Sequence, residues 1–126
     1  MTTNRQMFPV LEAQADAVYM ADDLIVRQCA TGSVAIETTC VLSGYSKEVL
    51  AEKVGKAREV LSRATSGRGG LDIDVLIKLM RESGSTLILQ YMAKQLGGEF
   101  RFLSEQEREV IELEQKLAIA KSRKAA

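Results

Sequence analysis

Apolar residues recur at spacings of three and four through most of the chain, the period of helices that bury one face. Between Pro9 and Gln28, Leu11, Val18, Ala21 and Ile25 share one face with Leu24 beside them, and Gln14 is its one polar gap. The pattern predicts an N-terminal helix, with Pro9 suited to the first turn, where its missing N–H is not needed. Thr31-Gly32-Ser33 interrupts the pattern. Ser33 is expected to cap a second helix through Cys40-Val41-Leu42. The β-branched residues of VAIETTCVL also suit a strand, which stands as the alternative there.

Gly44 ends that element and Ser46 can cap the next. The stretch LAEKVGKAREVLSR, Leu50 to Arg63, then carries a glycine in the middle of a helical pattern. One continuous helix would have to absorb Gly55 at about 1 kcal/mol relative to alanine. Two short helices turning at Gly55 use its tolerance of positive φ instead. Ala51 would then face the second helix, and Leu50, Val54 and Leu61 would fill the angle between the two. TSGRGG, Thr65 to Gly70, reads as a loop, and a plain connection is the preferred reading over a phosphate-binding one.

Leu71, Val75, Leu76, Leu79 and Met80 form the next stripe, with Asp72 or Asp74 near the helix start. SGS, Ser83 to Ser85, breaks it. Leu87, Leu89, Tyr91, Met92 and Leu96 predict a further short helix, ended by Gly97-Gly98. SEQE places Ser104 at a cap and Glu107 three residues on, a capping box. Val110, Leu113, Leu117 and Ala120 follow at spacings of three, four and three, a short heptad-like seam. It is expected to assemble copies of the chain, with packing within one chain as the alternative. The pattern as a whole predicts an all-α protein: an N-terminal helical arm at 1–32, a compact helix-turn-helix bundle at 33–97 and an assembly helix at 98–126.

The chain has 126 residues and a formal net charge of zero. Its charge is unevenly spread. Residues 1–45 hold Arg5 and Arg27 against five acids, whereas residues 46–81 hold eight Lys/Arg against five Asp/Glu. The positive excess coincides with the stretch around Gly55. Histidine is absent, which removes the commonest general base and makes a zinc site unexpected. No paired nucleophile and base and no nucleotide loop are visible, so no enzyme, cofactor or metal is expected. Cys29 and Cys40 lie among apolar or small residues and read as buried thiols in a reducing compartment. No signal pattern or membrane-length apolar run is seen, so a cytoplasmic protein without a membrane partner is expected.

YSKEVLAEKVGKAREVLSRATSGRGGLDIDVLIKLMRESG resembles the lambda-repressor-like, Cro-type helix-turn-helix family. It is especially similar to small phage regulators related to the CII activator of phage lambda. Leu50, Ala51, Gly55, Leu61, Ser62-Arg63, Gly67 and the stripe from Leu71 to Met80 carry the match, over roughly Val34 to Leu96. Lys56 and Glu59 depart from it: the family usually has an apolar residue after the turn glycine, and Glu59 sets a negative charge on the reading helix. The resemblance implies a Cro-type fold and sequence-specific binding of double-stranded DNA by a transcriptional regulator.

The helix expected over Lys56 to Thr65 would lie in the major groove. The DNA-contact set is Ser46, Lys47, Lys56, Arg58, Glu59, Ser62, Arg63 and Arg68. An arginine can bond guanine bidentately or pair with phosphate, and Glu59 can accept from cytosine. Val110, Leu113, Leu117 and Ala120 would build a homo-oligomer, a dimer or tetramer, with RNA polymerase as a further partner. The alternative is a non-enzymatic adaptor or inhibitor that turns the same helices against a protein.

Overall fold

The computed structural model describes residues 18–125. They form seven helices: α1 Asp23–Arg27, α2 Gly32–Ser43, α3 Lys47–Val54, α4 Arg58–Thr65, α5 Ile73–Ser83, α6 Leu87–Gln95 and α7 Glu105–Ala125. The described residues are all-α, with no strand beyond one isolated parallel bridge between Tyr19 and Ser85.

Short polar side chains start most of these helices. Asp22, Thr31, Ser46 and Asp72 each accept a hydrogen bond from a backbone N–H of the first turn. Each satisfies a donor that the helix itself leaves unpaired. Ser104 does the same for α7, and Glu107 returns the bond to the Ser104 N–H at 2.9 Å, so the expected capping box forms. Thr31, not Ser33, caps α2. The VAIETTCVL segment is helical, and its strand alternative is excluded. Thr38 and Thr39 return their hydroxyls to the carbonyls four residues back, which lets β-branched residues sit in a helix.

The bundle is arranged around α2, which packs against α3, α4, α5 and α6. Its main core joins Cys40, Leu50, Ala51, Val54, Leu61, Val75, Leu79, Met80 and Ile88. Leu50, Leu61, Leu79 and Leu87 are fully buried. Each contributes roughly 1.5–3 kcal/mol of burial. A smaller cluster of Cys29, Ala35 and Leu87 seats α1 and α6 beside α2.

Two expectations are corrected. Of the N-terminal helix expected over 9–28, residues 9–17, with Leu11 and Gln14, lie outside those described; among the described residues 18–28 only Asp23–Arg27 is helical. Residues 18–21 run extended because their backbone is bonded elsewhere. The Tyr19 N–H donates to Gly84 O and Thr86 N–H donates to Tyr19 O, both at 2.9 Å. In α1, Val26 is buried and Leu24 is exposed. The face of α6 also differs. Leu87, Ile88 and Gln90 are buried, while Leu89, Met92 and Leu96 are exposed. The helix is turned so that Gln90 can reach residues 19–21, which no local pattern encodes.

α7 follows an irregular connection and lies outside the two cores. Val110, Leu113, Leu117 and Ala120 are all exposed. No helix among the described residues is long and apolar enough to cross a membrane.

Candidate nucleic-acid interface

Gly55 stops α3 at φ +76°. The Lys56 N–H donates back to Ala51 O at 2.9 Å, the bond that closes a helix end when its last residue is left-handed. The chain therefore leaves α3 at an angle and restarts as α4. Ala51 and Leu61 are 2% and 0% exposed, so the close-contact and plug roles expected for them agree with their burial. The α3 and α4 helices pack directly on each other.

Lys56 is corrected: it belongs to the turn and not to the second helix, which begins at Arg58. Its Nζ stands 3.8 Å from an Asp72 carboxylate oxygen. The physical reason is the turn itself: Gly55 leaves α3 in the left-handed conformation, and Ala57, with extended dihedrals of −70° and 149°, is the residue that opens α4, so Lys56 lies between the two.

Burying Leu61 and Ala64 turns the other side of α4 outward. That side brings Arg58, Glu59, Ser62 and Arg63 together with Arg68 of the glycine loop, around one shallow depression. The loop is held against the helix. Arg68 N–H donates to Arg63 O at 2.9 Å, and Arg68 Nε donates to Ser66 Oγ at 3.2 Å. A Cβ built on Gly69 would stand 3.2 Å from Arg63 Cβ, a tight approach that glycine avoids. The ion pairs among the described residues include none of Arg58, Arg63 and Arg68. Three guanidinium groups thus share one open face with a single carboxylate, Glu59.

The remaining predicted residues sit elsewhere. Ser46 is occupied as the α3 cap, accepting from the Val49 N–H at 3.2 Å. Lys47 pairs with Glu37 of α2 at 3.1 Å. A second depression beside the first is lined by Glu48, Glu52, Lys56 and Arg58, so an acidic flank adjoins the arginine face. Sequence reasoning missed that flank, although Glu48 and Glu52 at spacing four on a short helix would have located it. It also missed Ser66 as the side chain that holds Arg68.

No metal-holding group of three acidic, cysteine or histidine side chains occurs among the described residues. Cys29 and Cys40 are buried free thiols. Burial pushes the Cys40 thiol up to about 11, with the nearby Glu37 carboxylate adding to the effect. No protein-family model matches the chain, and no curated protein or solved structure is significantly similar to it.

Proposed function

We propose that this protein binds duplex DNA sequence-specifically as a small transcriptional regulator of the phage type, with α3 and α4 as a Cro-type helix-turn-helix. The observation that carries this reading is the convergence of Arg58, Ser62, Arg63 and Arg68 on the exposed side of the short helix after the Gly55 turn. Arginines on such a helix can bond guanine edges or phosphates. Lys47 and Lys56, already paired with Glu37 and Asp72, are assigned to the margin of the contact. Two copies, joined through α7, would present two reading helices to half-sites about one helical turn apart. Linking the modules compensates for the weak binding of a single small chain without net charge.

Duplex selection with the full chain at near-physiological salt tests the reading directly. Enrichment of a two-part motif is the expected result. Arg58→Ala and Arg63→Ala should each weaken binding by about 1–3 kcal/mol for a base contact, or reduce the salt slope by about 1 for a phosphate contact. Selection without enrichment, or unchanged affinity in both variants, overturns it.

The second reading, a protein-interaction module, is favoured by one observation. The acidic flank of Glu48 and Glu52 beside the arginines suits a mixed-charge protein surface better than a polyanion. Its binding would lack the steep salt dependence that counterion release gives to DNA complexes.

A further inference from the structure

The α7 helix carries its charge in two blocks. Residues 105–114 hold five glutamates and one arginine, while residues 115–125 hold Lys116, Lys121, Arg123 and Lys124 with no acid. The apolar seam of Val110, Leu113, Leu117 and Ala120 runs through both blocks and faces solvent. We propose that α7 pairs antiparallel with α7 of a second copy of this chain, and that this sets the distance between the two bundles.

The charge order decides the orientation. With Val110 and Leu117 at the a positions and Leu113 and Ala120 at d, the g positions are Glu109, Lys116 and Arg123. The e positions are Glu107, Glu114 and Lys121. In a parallel pair each g position meets the e position five residues on in the other helix. Glu109 would then meet Glu114 and Lys116 would meet Lys121, so every flanking pair repels.

In an antiparallel pair centred near Gln115, g meets g and e meets e. Glu109 meets Arg123 and Glu107 meets Lys121, each twice by symmetry. Only Glu114 and Lys116, at the centre, meet their own copies. Glu107 is already engaged by Arg101 at 2.6 and 2.9 Å, so the Glu109–Arg123 pair carries most of the preference. The seam closes in register, with Val110 over Ala120 and Leu113 over Leu117.

A helix of 21 residues spans roughly 30 Å. Antiparallel pairing puts the two α7 N-termini, and the bundles that precede them, at opposite ends of that length. This is close to the ~34 Å that separates half-sites one duplex turn apart. The inference deepens the oligomer of the DNA-binding reading, but its test contains no DNA, so either can fail alone.

The test uses the full chain, with association measured by sedimentation. Glu109→Arg should weaken self-association by about fivefold, as should Arg123→Glu, and the double variant E109R/R123E should restore it. A parallel pair gives the opposite sign, because Glu109→Arg would then face Glu114 and tighten association. As an independent readout, V110C mixed with A120C should give a disulfide-linked heterodimer, and V110C alone should not cross-link. The native Cys29 and Cys40, at 6% and 4% exposure, do not compete. Tighter association of Glu109→Arg, cross-linking of V110C alone, or a monomer at all concentrations overturns the proposal.

Discussion

The side-chain amide of Gln90 pairs with both backbone groups of Ala21: Oε1 accepts from the Ala21 N–H at 2.8 Å, and Nε2 donates to Ala21 O at 2.9 Å. One glutamine on α6 thereby replaces a strand partner for an extended segment 69 residues away. The Thr86 hydroxyl donates to the same Oε1 at 3.0 Å, which fixes the amide's orientation. Gln90 is 6% exposed, and its polar atoms are satisfied by this arrangement.

Replacing Gln90 by Leu should therefore cost about 2–3 kcal/mol, since partly buried backbone groups at Ala21 lose their partners. Chemical denaturation measures the loss. Amide exchange at Ala21 should accelerate more than exchange in α3 and α4. Uniform acceleration across the bundle would argue against a local tether.

Gly55 holds φ +76°, a conformation that strains any residue with a Cβ. Gly55→Ala should destabilise by about 1–2 kcal/mol even though the added methyl meets nothing within 4 Å. Gly70→Ala is the control: it too faces open space, and no positive φ is found there. Equal melting temperatures for the two variants would contradict the turn assignment.

Leu61 is fully buried in the main core, at the angle between α3 and α4. Leu61→Ala should cost about 2–5 kcal/mol through lost burial and the cavity left behind. The exposed neighbour Arg63→Ala should leave stability within about 0.5 kcal/mol. Thermal unfolding of the pair separates the residue that builds the face from one displayed on it.

The Arg101 guanidinium and the Ser104 N–H hold the Glu107 carboxyl well below its ordinary value of 4.5, at about 2. The folded helix start favours the ionised form. Its stabilising effect is complete above the unfolded value and is lost as pH falls toward about 2. The side-chain carbon resonance of Glu107 should titrate well below the ordinary glutamate value of 4.5. Arg101→Ala should move that midpoint back up, and an unchanged midpoint would remove Arg101 as the cause.

Cys40, with its thiol pushed up to about 11, should resist alkylation at pH 8 in the native protein and react once the chain is unfolded. Counting thiols with and without denaturant checks this. Rapid native labelling at Cys40 would show that the core around it opens easily.

Much of this architecture was legible in short-range chemistry. Ser46, Asp72 and Ser104 act within three residues of their own positions, and Gly55 encodes a backbone conformation that few other residues tolerate. Such signals need no knowledge of the fold, because the donor, the acceptor and the dihedral lie in one turn of chain. The stripe at Val75, Leu79 and Met80 was equally readable, since its period matches the helix that buries it.

What only the tertiary structure decided depends on partners distant in sequence. No spacing rule turns Gln90 inward and leaves Leu89, Met92 and Leu96 in solvent; the extended backbone at 18–21 does so. Lys56 read as part of the second helix, but the extended backbone at Ala57 starts that helix at Arg58. The arginine face followed the same division. Arg58 and Arg63 could be placed on the outer side of a short helix from periodicity alone. Arg68 joins them because Ser66 and the Arg63 carbonyl fold the glycine loop back, a contact set by the path of the loop rather than by any pattern in its residues.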